Sequence, residues 1–256
     1  MTQRIMVLAI ALSALLVSAP LIQTAHGQDD LIVSAAASLT NAFEELGKAY
    51  EKASPGAKAT FNFAASGALL QQIDKGAPVD VLATADQKTM DQAEKGGLIL
   101  PETRKNFVRN ELVLIAPSAP KVAIKGMKDL SSKEVTKISL GNPDSVPAGR
   151  YAQEALIAEG LWETLAPKFI LGNSVRQVLD YVSRGEVDAG FVFSTDAVTA
   201  KDKVKSVCYV EKHQPILYAI AAVKSTKKKD AAQRFVDFVM SEAGQGILAK
   251  YGFLKP

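Results

Sequence analysis

The sequence predicts an α/β protein of two lobes, each a mostly parallel sheet flanked by helices. Three observations carry that prediction. Strand-like and helix-like segments alternate along the whole chain after residue 27. The alternation restarts after Pro117–Lys128, a connection containing Pro and Gly. A strand pair, Val204–Val210 and Ile216–Val223, precedes the last two helical segments, as though the chain returned to cover its first half. The expected division is 28–110 with 216–256 as the first lobe and 111–215 as the second. In open α/β sheets ligands bind outside the carboxyl ends of strands, so facing lobes put their strand-to-helix turns around one cleft.

The elements follow in order. Leu31–Ala35 is a strand, and Leu39, Phe43, Leu46 and Tyr50 then recur at helical spacing. Ala59–Phe63 is a strand, with a short helix over Ala68–Lys75 before Gly76. Val79–Thr84 is a strand, and a helix over Gln87–Glu94 stops at Gly96-Gly97. Glu111–Ala116 is a strand stopped by Pro117. Strand Ile138–Leu140 leads to helix Gly149–Glu159, closed by Gly160. Strand Phe169–Leu171 leads to helix Val175–Arg184, closed by Gly185. Strand Ala189–Phe193 and the strand pair come next, then helices over Lys229–Met240 and Ala243–Tyr251.

Residues 1–27 read as a secretory signal peptide: Arg4, an apolar run from Ile5 to Ile22, then the small-x-small site Ala25-His26-Gly27. The only cysteine is Cys208, so no intramolecular disulfide forms and the cleavage site offers no thiol for a lipid anchor. The expected compartment is the periplasm, and Cys208 is expected as a small buried apolar residue. Net charge is only +3, with both signs interspersed. The basic run Lys224–Lys229 reads as a solvated face, and no aromatic-lined basic stripe suggests nucleic acid.

Four strand-to-helix turns share one chemistry. Val33–Asn41 (VSAAASLTN) passes from an apolar strand through three alanines to Ser38. Ala65-Ser66-Gly67 follows the second strand, Val146-Pro147-Ala148-Gly149 opens the Arg150-Tyr151 helix, and Asn173-Ser174-Val175 opens another, with Asn173 or Ser174 as cap. Free N–H groups at helix starts and serine hydroxyls donate to an anion. None of the four motifs contains Asp or Glu, so nothing there accepts a ligand's proton. A fully deprotonated tetrahedral dianion suits such a site. Arg150 and Arg176 follow their motifs and are expected to be solvated. Asp80, Asp86 and Asp196 are expected as caps or hinge partners.

Catalytic and metal chemistry find little support. His26 lies in the signal segment, leaving His213 in a polar turn remote in sequence from every serine motif. One His and one Cys cannot make a His/Cys zinc site, and Gly-rich phosphate loops of Walker or Rossmann spacing are missing. The expectation is a binding protein without cofactor, not an enzyme.

The segments AAASLTNAF, GAPVDVLATADQKTMD, NPDSVPAGRYAQEAL, GFVFSTDA and the final KYGF, in that order from Leu31 to Phe253, resemble the signatures of periplasmic molybdate-binding proteins. That resemblance implies the type II periplasmic-binding-protein fold, with a hinge of two crossing strands. It implies a monomer that holds molybdate or tungstate through neutral hydrogen bonds and passes it to a membrane ABC permease, with molybdenum present only as the bound oxyanion. By the same resemblance, Ser38 and Ser66 supply hydroxyl and N–H donors, and Ala148 and Val175 supply backbone N–H groups. A fifth contact in the family is a tyrosine hydroxyl. Phe193 stands at that position here, within Gly190–Ala197, and lacks the donor, which Ser194, a water or another N–H would have to replace. A sulfate- or thiosulfate-type receptor is the alternative reading.

Overall fold

The computed structural model describes residues 29–256, and the expected signal segment lies outside them. The chain begins with β1 (Asp29–Ala36), a 3-10 turn (Ala37–Leu39), α1 (Thr40–Ala53), β2 (Ala57–Ala64), α2 (Ser66–Asp74), β3 (Val81–Thr84) and α3 (Gln87–Lys95). β4 (Lys105–Arg109) leads to β5 (Leu112–Pro117), β6 (Ile138–Gly141), α4 (Pro147–Ala158), α5 (Trp162–Leu165) and β7 (Phe169–Gly172). α6 (Val175–Ser183), β8 (Ala189–Phe193), α7 (Ser194–Thr199), β9 (Val204–Val210), β10 (Leu217–Ala222), α8 (Lys229–Met240) and α9 (Glu242–Lys250) complete it.

Two five-stranded sheets result, ordered β2-β1-β3-β10-β4 and β7-β6-β8-β5-β9. They share one plan. Three parallel strands sit side by side, the fourth strand (β10 or β5) runs against them, and the fifth runs against the fourth. This is the mostly parallel, helix-flanked architecture expected from the alternation.

Four features of the structure differ from the sequence reading. Val204–Val210 and Ile216–Val223 do not pair with each other, because β9 edges the second sheet and β10 lies inside the first. Local pattern identifies a strand but not its partner. β4 was not expected, because only Phe107 and Val108 are buried in it and two adjacent buried residues give no alternation. Ser194–Thr199, given no element in the sequence reading after the strand Ala189–Phe193, is the short helix α7. Cys208 is half-buried on β9, not fully enclosed.

Aromatic packing fixes the C-terminal return. Phe43 of α1 meets Phe61, Phe107 and Phe235 at ring-centroid distances of 6.0, 6.0 and 6.3 Å, so α8 and β4 close over α1 and β2. Each fully buried side chain of this size contributes ~1.5–3 kcal/mol. Leu69, Ile73, Leu82, Met90 and Ala221 form a second apolar cluster in the same sheet's lobe. α4 and α6 end where expected, at Gly160 (φ +69°) and Gly185 (φ +66°), whose left-handed backbone stops the helix. Among the described residues no helix is long and apolar enough to cross a membrane.

Candidate oxyanion site

The four helix starts converge. One cavity is lined by Ser38, Ser66, Ala148, Val175 and Phe193, together with Ala36, Ala65, Ala85 and Pro147. Its volume is about 10 Å³, far below the ~300–1,000 Å³ of pockets for drug-sized ligands, so it suits only a small ion. It is enclosed: Ser66 and Ala148 are 0 % exposed, Phe193 1 %, Ser38 3 % and Val175 4 %. No side chain on its wall carries a charge.

Local geometry supplies the donors. Ser66 and Val175 are the first residues of α2 and α6, and Ala148 is the second of α4 behind Pro147. N–H groups at these positions have no carbonyl within their own helix. Ser174 caps α6 by accepting from Gln177 N–H at 3.2 Å, which settles the choice between Asn173 and Ser174. α4 can start this close to the cavity because residue 149 is glycine: a Cβ there would lie 1.9 Å from the Gly141 carbonyl oxygen.

Neither serine is a helix cap. Ser66 Oγ accepts from the backbone N–H of Ala85 at 3.0 Å. Ser38 sits in the 3-10 turn, and its Oγ lies 2.9 Å from the Tyr218 hydroxyl. Tyr218, on β10, also lies 3.1 Å from Asn110 Nδ2. Burial, reinforced by nearby Asp196, holds the Tyr218 hydroxyl well above the usual tyrosine range, so it stays protonated. The sequence gave no sign of Tyr218, Asn110 or Ala85. A tyrosine inside the apolar run LYAIAA reads only as core.

Phe193 packs its ring 5.7 Å from that of Tyr218 and 6.4 Å from that of Tyr151. Ser194 does not replace the missing donor, because its hydroxyl donates to Asn110 Oδ1 at 3.0 Å.

Contacts across the cleft join the lobes. Gly67 N–H donates to the Ser145 carbonyl oxygen at 3.0 Å. Arg150 pairs with Asp86, their side chains 12 % and 3 % exposed, while Asp86 also caps α3 by accepting from Thr89 N–H at 3.0 Å. Arg176 Nε lies 2.6 Å from Asp196 Oδ1, and its Nη2 lies 3.4 Å from the Ser38 carbonyl oxygen. Both arginines were expected in solvent. Instead each is held by a buried aspartate; Asp86 is the cap expected of it, whereas Asp196 caps no helix and pairs with Arg176 of its own lobe. Burial raises the Asp196 pKa against the opposing pull of Arg176. Asp80 is likewise tied down, accepting from Thr226 Oγ1 at 2.5 Å.

A second opening, of about 560 Å³, contains Lys88, Lys95, Asp91 and Glu154 but neither serine. Its mixed, solvated charges suit water better than a desolvated ion. His213 is engaged elsewhere, its ring nitrogens 2.7 and 2.9 Å from the carbonyls of Gln214 and Val210, so it forms no pair with either serine.

An enclosed, uncharged, donor-lined cavity between two α/β lobes defines a solute-binding protein of the two-lobed class. Residues 31–254 match the family of bacterial extracellular solute-binding proteins, and the chain belongs to that family. It is 36 % identical to the molybdate-binding protein ModA of Haemophilus influenzae, over 86 % of this chain and 88 % of that one. Identity to the ModA of Escherichia coli is 35 %, over 87 % and 88 %. A putative ABC transporter substrate-binding lipoprotein of Bacillus subtilis, YvgL, is 38 % identical over 87 % and 85 %. Among solved structures, the periplasmic molybdate-binding protein of Azotobacter vinelandii superposes with TM-score 0.80 at 25 % identity, covering 88 % of this chain and 99 % of that one. The substrate-binding domain of a putative molybdenum ABC transporter from Clostridium difficile gives TM-score 0.67 at 40 % identity, covering 89 % and 99 %.

Proposed function

We propose that this protein captures molybdate, and tungstate with it, in the cavity between its lobes and delivers the ion to a membrane ABC permease. One observation carries the reading: Ser38 and Ser66 from one lobe and Ala148 and Val175 from the other line a single small neutral cavity. Hydrogen bonds to a charged partner contribute ~1.5–3 kcal/mol each, so a handful of such donors supports tight binding without a cationic side chain. The relatives named for molybdate, at 35–36 % identity, support the choice of ion. The first lobe is taken as 28–110 with 216–256 and the second as 111–215. Chain crossings at Asn110–Glu111 and between Val210 and Leu217 support that division, because each links a strand of one sheet to a strand of the other. The protein acts as a periplasmic monomer, released by cleavage of its signal segment, without a cofactor.

Titration calorimetry with molybdate, tungstate, sulfate and phosphate tests this. Micromolar or tighter binding of molybdate and tungstate, with sulfate and phosphate much weaker, is expected. A preference for sulfate would transfer the protein to the sulfate-receptor class, and no molybdate binding at micromolar concentration would reject the assignment. Ser66→Ala should weaken molybdate binding about 10-fold or more.

A further inference from the structure

We infer that Asn110 and Tyr218, which do not line the cavity, fix the direction of the Ser38 hydroxyl so that its proton is free to donate to the bound ion. The inference rests on the reading of the cavity as an oxyanion site and concerns how that site tells one oxyanion from another.

The polarity follows from a chain of hydrogen bonds with one unambiguous end. The backbone N–H of Glu111 can only donate, and it lies 2.9 Å from Asn110 Oδ1. That contact sets the amide's orientation, because an NH₂ group in the same place would face another donor. The Asn110 NH₂ therefore faces Tyr218, 3.1 Å away, and Thr195 Oγ1, 2.9 Å away. An amide NH₂ only donates, so Tyr218 must accept from it. The Tyr218 hydroxyl has one other neighbour, Ser38 Oγ at 2.9 Å, and Tyr218 is fully buried. A buried O–H without an acceptor is costly, so the Tyr218 proton goes to Ser38 Oγ. The Ser38 proton is then left over, on a side chain that lines the cavity.

Ser66 reaches the same state by a shorter route. Its Oγ already accepts from Ala85 N–H, which leaves its proton for the ligand. Both serines thus meet the ion as donors. An oxyanion that carries a proton meets two hydroxyls that each aim a proton at it and already have one lone pair taken. Tyr218 and Asn110 are positioning residues in this scheme. Tyr218 touches Ser38 and Asn110 touches Tyr218, and neither lines the cavity.

The experiment measures affinities for molybdate and phosphate at pH 7.5 in the wild type, Tyr218→Phe, Ser38→Ala, the double variant and Asn110→Asp. Tyr218→Phe should weaken molybdate binding about 10-fold, and should change it less than about 2-fold when Ser38 is already alanine. Asn110→Asp replaces the donor by an acceptor that can take the Tyr218 proton, so the chain reverses: Ser38 gives its proton to Tyr218 and presents only lone pairs to the ion. Its molybdate-to-phosphate preference should fall about 10-fold or more, and the ratio largely cancels the added charge because both ions are mainly dianions at that pH. An equal loss from Tyr218→Phe in both serine backgrounds would overturn the inference, since it would mark a packing role. So would an unchanged ion preference in a folded Asn110→Asp. If Asn110→Asp does not fold, the Tyr218–Ser38 cycle decides alone. A wild type that does not bind molybdate would overturn the reading of the site itself, and this inference with it, whereas a binding wild type with additive variants overturns the inference only.

Discussion

The backbone N–H of Gly67 donates to the Ser145 carbonyl oxygen at 3.0 Å, joining the start of α2 to the loop before α4 across the cleft. A Cβ on residue 67 would lie 2.8 Å from that oxygen and 2.9 Å from Ser145 Cα, both backbone atoms that cannot swing aside. The lobes approach this closely only because the residue is glycine. Gly67→Ala should therefore disfavour the closed arrangement. Molybdate affinity is expected to fall about 10-fold or more, which corresponds to ~1.4 kcal/mol. The melting temperature without ligand should be nearly unchanged, and calorimetry beside a thermal melt separates the two effects.

Arg150 and Asp86 form the charged counterpart of that contact. Removing one partner of a shielded pair leaves the other charge without compensation. The lobes can relieve this by opening, so the loss should appear in binding and not in folding. Arg150→Met is expected to weaken molybdate binding by about 2 kcal/mol or more, near 30-fold. An increase in the rate of ligand release, followed by stopped flow, should account for most of it.

Phe193 closes one wall of the cavity with a ring that offers no hydrogen-bond donor. Ser194 is committed to Asn110 and cannot stand in. Phe193→Tyr should tighten molybdate binding by ~1.5 kcal/mol, about 10-fold, if the hydroxyl reaches the ion as a donor. Calorimetry with molybdate checks it, and unchanged or weaker binding would mean that the cavity is already complete around phenylalanine.

Asp188 gives a pH-dependent prediction away from the site. Burial opposes its ionisation, but Lys137 N–H, Thr136 N–H and the Thr136 hydroxyl, at 2.9, 2.8 and 3.0 Å, outweigh it and hold the carboxyl below its usual range. A carboxylate whose folded pKa lies below its unfolded pKa stabilises the fold above the unfolded value, ~3.9, and loses that contribution as pH falls through the folded value. Asp188→Asn should be less stable than the wild type at pH 7 by about 1 kcal/mol, allowing for solvent screening. The gap should close below about pH 4, as denaturant titrations across pH would show.

Much of this was legible in the sequence. Leu39, Phe43, Leu46 and Tyr50 announced α1 because helical periodicity is local, and all four are buried as that spacing requires. The helix stops at Gly160 and Gly185 were legible because a left-handed residue is a one-residue property. Ser38, Ser66, Ala148 and Val175 could each be placed at a strand-to-helix turn. β4 was not legible, because its two buried residues are supported by pairing with β10 and not by their own pattern. Arg150 and Arg176 were misread as solvated because their aspartates lie 64 and 20 positions away in the chain, and proximity of that kind is invisible to local spacing.

The sequence by itself determined the α/β alternation, the longer strands and helices and the four donor-bearing turns, since these depend on side-chain period, caps and glycine positions within a few residues. Only the tertiary structure decided that β9 and β10 belong to different sheets, that Gly67 meets Ser145, and that Tyr218 reaches Ser38 from 180 positions away. Those facts depend on which strand pairs with which and how closely the lobes approach. Pairing and approach are set by the summed packing of the whole chain, not by any segment's own preference.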